Sequence, residues 1–338
     1  MRRIIILNKT LSNRPARARK SKVQNGTRRG PDLAMGCIAS LALFAIMASP
    51  VMAQSKTKAE KSPFSLRVTI GAEYDSNVSV DSIDRTTNIG DNSALFKAKA
   101  NYKMPLGNDT EFRLGYSFSQ SSHETFSNFD IRSQMASANL VHDFGPFKAG
   151  LAYRHSNAQL DGEDFLTLKQ VSPYLSGFVA KKVFIRTSYT QTDKSFDNRP
   201  VRDAESRMLG ADVYFFLRGI RRYWIVGYKR ENEDAIGPEF DFDANHFRLK
   251  YQQRFVLGGK DLKMGLGWRY EGRAYNGMTP SINMIREDNR NRYQAEIEYP
   301  LTPSSFFQLE FERADYDSNL PSADYNQNLA AVRLGFEF

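Results

Sequence analysis

The sequence predicts an all-β protein, a transmembrane antiparallel up-and-down β-barrel of about fourteen strands. Three observations predict it: an apolar export-type segment near the N-terminus, a long series of period-two segments behind it, and connections that alternate between short and long.

The N-terminal region comes first. Residues 1–53 hold ten Lys and Arg against one acid, Asp32, so the excess in the formal charge of +9 belongs to this segment and the remaining chain is formally neutral. A neutral body lacks the positive surface that nucleic-acid binding needs, and nucleic acid is excluded as a partner. From Met35 the run MGCIASLALFAIMASPVMAQ supplies an apolar core too short to span a membrane, with small residues before a cleavage site placed after Ala53. The start codon is Met1 or Met35. Arg28 and Arg29 faintly resemble a twin-arginine signal, but a barrel must cross the periplasm unfolded. The single cysteine, Cys37, lies inside the signal core, so the mature chain carries no thiol, as suits an oxidising compartment. Expected localisation is the outer membrane of a Gram-negative bacterium, with outer-membrane lipid, lipopolysaccharide and the barrel insertion machinery as partners.

A short periplasmic segment, 54–63, precedes the barrel at 64–338. In the first strand segment Phe64, Leu66, Val68, Ile70, Ala72 and Tyr74 share one face, and Ser65, Arg67, Thr69, Gly71, Glu73 and Asp75 share the other. A helix would scatter these residues around its axis, whereas a strand sorts them. Ala94, Phe96, Ala98, Ala100, Tyr102 and Met104 alternate with Lys97, Lys99, Asn101 and Lys103 in the second. Twelve more segments follow at 110–120, 132–144, 147–156, 168–180, 183–192, 206–217, 222–231, 245–256, 262–273, 290–299, 306–316 and 327–338. Each is near the length of about ten residues with which a tilted strand crosses a bilayer.

Connections after even segments are short, as in Pro105 to Asp109, Gly145 with Pro146, Lys181 with Lys182, and Gly258 with Gly259 in a hairpin turn. Those after odd segments are long and polar, as in 79–92, 193–205, 232–244 and 274–289. Short periplasmic turns and long outer loops produce this asymmetry. A soluble sandwich or barrel would also alternate, but fourteen strands with apolar residues inside would leave a wide lumen to fill. Tyr74, Tyr102, Tyr116, Tyr189, Tyr223 and Tyr299 are placed in interfacial girdles, and Leu266 and Gly265 on the lipid and lumen faces.

The same parity turns charge inward. Lumen candidates are Arg67, Lys97, Lys99, Lys103, Arg113, Lys148, Arg154, Arg186, Arg248, Lys250, Arg254, Lys263 and Arg269, with Glu296, Glu298, Glu310 and Glu312 as an acidic wall opposite a mainly basic one. Two readings stay open: a transverse field that biases passage of charged solutes, or pairing that holds the barrel's shape. Acidic clusters at Asp81 and Asp84, Asp161 to Asp164 and Glu231 to Asp234 fit no calcium-loop spacing, and no metal or cofactor is expected. Of the four histidines, His155 with Asp161 and His246 with Asp243 come nearest to a catalytic pairing, while His123 and His142 suggest none; no enzyme is expected.

The first segment ends Gly71, Ala72, Glu73, Tyr74, Asp75, Ser76, Asn77, Val78, and the quartet returns as Tyr316, Asp317, Ser318, Asn319. The Gly-x-x-Tyr-Asp-Ser-Asn-Val entry resembles the start of the C-terminal barrel of the surface lipoprotein assembly modifier family. A terminal phenylalanine, Phe338, likewise resembles the signal read by the insertion machinery. The family resemblance covers about residues 64–338 and implies a fourteen-stranded barrel taking part in translocation or assembly of surface-exposed lipoproteins. That family places a tetratricopeptide-repeat domain before its barrel, whereas only 54–63 stand there after cleavage. The resemblance therefore implies a separate periplasmic repeat protein and a surface lipoprotein as partners. A porin-like passive channel for small polar or charged solutes is the alternative, and the recurring quartet is either a polar cluster at the outer mouth or simply a good strand ending.

Overall fold

A computed structural model describes residues 62–338. The signal and cleavage site at 1–53, and most of the 54–63 segment, lie outside the described residues. The strands are β1 (Phe64–Asp75), β2 (Ser79–Val80), β3 (Arg85–Thr86), β4 (Asp91–Pro105), β5 (Thr110–His123), β6 (Ile131–Asp143), β7 (Lys148–Leu160) and β8 (Glu163–Ala180). They continue as β9 (Val183–Phe196), β10 (Ala204–Phe216), β11 (Arg222–Ala235), β12 (Phe242–Leu257), β13 (Lys260–Thr279), β14 (Met284–Pro300), β15 (Ser305–Ser318) and β16 (Tyr325–Glu337).

Strands β4 to β16 pair in chain order, and β1 closes the wall by pairing antiparallel with both β4 and β16. The result is a closed barrel of fourteen strands, with β2 and β3 forming a separate small hairpin. Closure leaves no row of unpaired main-chain groups, which is the condition for placing a sheet in hydrocarbon.

The faces follow the sequence alternation. Every barrel strand turns at least one large apolar residue to the outside: Ile70, Phe96, Leu114, Leu140, Leu151, Leu175, Tyr189, Leu209, Val226, Phe247, Leu266, Ile297, Phe311 and Val332 are all exposed. An exposed apolar belt that runs around the whole wall would be unstable in water and is what a bilayer covers. Leu266 stands in the belt, while Gly265 is buried on the inner face. Tyr74, Tyr102, Tyr116 and Tyr189 are exposed on the outside. Tyr223 is not: it shares the inner face of β11 with Glu231 and joins a ladder of rings from Phe178 and Phe184 through Tyr214 to Phe216. Ring stacking with inward neighbours outweighs its girdle-like position.

The strands are longer than the expected segments, because they continue past the belt at the end with the long connections. Residues 157–167 form the ends of β7 and β8 around a two-residue turn, with Asp161 at φ 56° and Gly162 at φ 81°. Asp-Gly supplies the two positive φ values that a tight hairpin needs. Most of 274–289 is likewise strand, in β13 and β14. Main-chain pairing does not require alternation of hydrophobicity, so the strands persist where the period-two signal stops.

Candidate functional site

The loop between β1 and β4, residues 76–90, folds into the barrel instead of standing outside it. Asp75 starts the turn by accepting the Asn77 N–H at 2.8 Å, and the Asn77 side chain accepts from Thr86 Oγ1 at 2.5 Å and from the Asn88 N–H at 2.8 Å. From β16, Gln327 Nε2 donates to Asp75 Oδ2 at 2.7 Å and to the Asn77 carbonyl at 3.0 Å. Asp81–Ile83 make a single 3-10 turn that ends at Asp84 in the left-handed region, φ 53°. Side-chain amides and carboxylates thus replace the sheet ladder as partners for the loop's main chain.

Its two sides differ. Val78, Val80 and Ile83 pack against Phe129 and Phe165, with Phe126, Ile131, Leu160, Leu166 and Phe196 around them. This apolar seat is built from the outer ends of β6 to β9 and the turn at Ser127–Phe129. On the opposite side Asp81 accepts from Tyr316 Oη at 2.8 Å and pairs with Arg292 and Tyr325. Asp84 pairs with Arg202 and Arg286, each at 2.8 Å. Burial opposes ionisation of Asp84, but hydrogen bonds and charge from Arg286 and Arg202 outweigh it, holding the carboxyl below its ordinary range. Arg286 also forks onto Asp288, which takes further bonds from Arg290 at 3.1 Å and Ser318 Oγ at 2.6 Å.

The two Tyr-Asp-Ser-Asn quartets lie one strand apart with opposite parity. In the first, Asp75 and Asn77 point inward, Ser76 Oγ accepts the Asn328 N–H at 2.8 Å, and Tyr74 points outward. In the second, Tyr316 and Ser318 point inward onto Asp81 and Asp288; Asp317 is exposed, and Asn319 ties Glu287 and Ile285. Both quartets serve the loop and its wall, through different members.

A cavity of about 670 Å³ opens against this loop, bounded by Asp81, Ser82 and Asp84 on one side and by strands β8 to β15 on the others. Eight basic side chains line it, Lys194, Arg202, Lys229, Arg248, Arg269, Arg273, Arg290 and Arg292, against the five carboxylates of Asp81, Asp84, Asp212, Glu233 and Glu271. Lys194 pairs with Glu233, Arg273 with Glu271, and Arg248 with Asp212 at 2.7 Å.

The charged residues read from the sequence are distributed unevenly. Arg67 bridges Glu298 and Glu337 at 2.5 and 2.6 Å, and Lys263 joins the same Glu298. Glu310 pairs with Arg333, and Glu312 with Arg292 at 3.7 Å, while Glu296 accepts from Gln308 at 3.1 Å. The four glutamates stand together on β14 and β15, with Glu296 directly opposite Glu310, but Glu298, Glu310 and Glu312 are each paired with a cation from another strand. The acidic patch is thus largely neutralised, and Arg286, Arg290 and Arg292 lie further along β14 towards its outer end. Arg113 pairs with Glu111, Lys148 with Asp143 at 2.7 Å, and Arg186 stacks on Tyr174 at 3.9 Å. Among the described residues Lys97, Lys99, Lys103, Arg154, Lys250, Arg254 and Arg269 have no carboxylate within 4.0 Å, so the inner wall carries free positive charge.

His246 turns from Asp243 to the inner face, where Glu231 lies at 2.9 Å and Glu271 at 3.6 Å. Ser206 donates to the same Glu231 at 2.8 Å, so a carboxylate stands between the hydroxyl and the imidazole. His123 meets Asp130 at 3.2 Å, and His142 meets Thr110 at 2.8 Å. Among the described residues no three His, Cys, Asp or Glu side chains converge as a metal site.

The sequence assigns no lumen face to Asp81 and Asp84, nor to Arg286 and Asp288, because both stretches look like outer loops. Arg290 and Arg292 are absent from the lumen candidates as well, although the parity they share with Glu296 and Glu298 is a signal that places them inward.

No known family profile matches the chain, and no curated protein does. Solved structures do resemble it in outline. OmpT of Vibrio cholerae, in its trimer form, aligns over 81% of this chain and 99% of its own at 8% identity with a TM-score of 0.49. CdiB from Acinetobacter baumannii aligns over 81% of this chain and 60% of its own at 11% identity with a TM-score of 0.47. A bacterial polysaccharide outer membrane secretin aligns over 81% and 98% at 9% identity with a TM-score of 0.44. The fold assignment rests on the strand pairing of this chain itself.

Proposed function

We propose that this chain, exported by its N-terminal signal, is a Gram-negative outer-membrane channel through which small polar or charged solutes diffuse, with loop 76–90 as its constriction. One observation carries the reading: the inward-folded loop leaves a charged cavity of about 670 Å³, a size suited to a small solute, between itself and the wall. A polar lumen inside an apolar belt is the arrangement of a diffusion pore. Net positive charge along the inner wall biases it towards anions.

The role in translocation or assembly of surface lipoproteins, with a lipoprotein or a separate periplasmic repeat protein as partner, rests on the resemblance of residues 71–78. In this fold Asp75 and Asn77 from that stretch fasten the constricting loop, which gives the motif a structural task that needs no cargo. Neither reading assigns a catalytic step.

Reconstitution of the purified barrel into planar bilayers separates the two. Steady ohmic current steps are expected. Absence of current, together with loss of surface lipoproteins in a deletion strain, would replace the channel reading with the assembly one.

A further inference from the structure

We propose that Arg248, Arg269 and Arg292 form a subsite for a compact oxyanion on the solute path, centred on Arg269; this rests on, and deepens, the channel reading. In the strand register Arg248 of β12 stands directly opposite Arg269 of β13, and Arg269 directly opposite Arg292 of β14. All three line the one cavity. Like charges opposed on neighbouring strands destabilise a sheet, and three in a row do so twice over. Counter-charge is supplied at the two ends only. Arg248 pairs with Asp212 at 2.7 Å, and Arg292 pairs with Asp81 and, at 3.7 Å, with Glu312.

The middle guanidinium is left over. Arg269 donates to the neutral amide oxygen of Gln294 at 2.7 Å, is exposed to the cavity, and has no carboxylate within 4.0 Å among the described residues. Arg248 Nε is buried without a hydrogen-bond partner among those residues. Lys229, on β11 opposite His246, adds a further cation to the lining.

Space beside the row is provided by glycine. Gly267 precedes Arg269 by two residues on the same face, and a side chain there would project into the lumen next to the row, where a Cβ would meet only Gln294, at 3.7 Å. At Gly227, opposite Arg248, the room is taken by the Asp212 carboxylate that pairs with Arg248.

Guanidinium forks recognise planar or tetrahedral oxyanions through paired charge-assisted hydrogen bonds. A phosphate or a carboxylate group seated on Arg269 would both satisfy the free fork and relieve the opposed charges. Chloride, without oxygen acceptors spaced for the fork, would pass with weaker attachment.

Three measurements in bilayers test this, using potassium chloride gradients with and without inorganic phosphate or succinate. Wild type is expected to be anion-selective, with chloride current blocked by at least one of the two oxyanions. Arg269→Gln should lower the selectivity and raise the half-blocking concentration about tenfold. Arg269→Lys should keep the selectivity but weaken the block, since it keeps the charge without the fork. Arg207→Gln, which removes one exposed cation from the outer surface, should change neither. Block by phosphate alone or by succinate alone assigns the oxyanion; block by neither, or equal block in wild type and Arg269→Gln, overturns the subsite. If wild type carries no current, the channel reading fails by itself. Titration calorimetry on the detergent-folded barrel then decides the subsite: phosphate or succinate binding lost in Arg269→Gln upholds it, and identical heats overturn it.

Discussion

Loop 76–90 is held from two sides by opposite physics. Its apolar seat buries Val78, Val80 and Ile83 against Phe129 and Phe165, an attraction without direction that neither salt nor pH weakens. Its ionic seat joins Asp81 and Asp84 to Arg292, Arg202 and Arg286, where much of the Coulomb gain is spent on removing the charges from water. The contrast teaches that the apolar side supplies the holding free energy, while the ionic side fixes where the loop stops and makes its release sensitive to conditions.

The largest expected effect falls on the apolar seat. Phe129→Ala, at a ring that is 3% exposed, should cost about 3–5 kcal/mol and raise the unitary conductance as the loop leaves the wall. Heat-dependent electrophoretic mobility measures the first and bilayer recording the second. Should Phe129→Ala cost less than removal of the Asp84 charge, the ranking of the two seats would be reversed.

The membrane wall sets the next step of the scale. Leu266→Arg places a charge in the outer belt and should cost about 2–4 kcal/mol, whereas Gly265→Ser, one residue away on the inner face, should cost little. Reversed costs would mean that the faces have been exchanged.

Asp84→Asn should cost about 1–3 kcal/mol, because Arg286 keeps Asp288 as a partner after its second carboxylate is lost. The same residue gives the comparison its pH dependence. Its carboxyl is held below the ordinary range, so its contribution is complete at neutral pH and is lost as pH falls through that depressed value. Conductance should therefore rise in acid in wild type, and that acid-dependent part should be absent from Asp84→Asn. Persistence of the full acid response in Asp84→Asn would move the sensitivity to another group. The smallest effect is expected from Arg313→Gln, whose partner Asp315 lies with it on an exposed surface; a change of less than about 1 kcal/mol in unfolding would fit.

The wall was legible in the sequence to a degree that its contents were not. Period two from Phe64 to Tyr74 sorts one face to lipid, and each repeat of that pattern adds a strand, so the strand number follows from local information. Beyond the belt the pattern stops while the strands go on, which is why 274–289 reads as loop and Arg286 and Asp288 were given no face. Asp161 with Gly162 was a usable hairpin signal within a stretch that looked merely polar. The loop is less legible: Asp81 and Asp84 look like solvated surface acids, and their partners Arg202, in the turn before β10, and Arg286 and Arg292, on β14, lie up to 211 residues away in sequence. Charge pairs across a closed wall are long-range facts, and parity alone reveals the side of the wall but not the partner.

On the channel reading, loop 76–90 narrows the solute path and is released more by loss of its apolar seat than of its ionic one. Unitary conductance, compared in the same salt for wild type, Phe129→Ala and Asp84→Asn, separates the two seats. Ohmic steps that are smallest in wild type, larger in Asp84→Asn and largest in Phe129→Ala are the expected result. Equal steps in all three would show that the loop does not constrict the path, and the absence of steps in every one would contradict the channel itself.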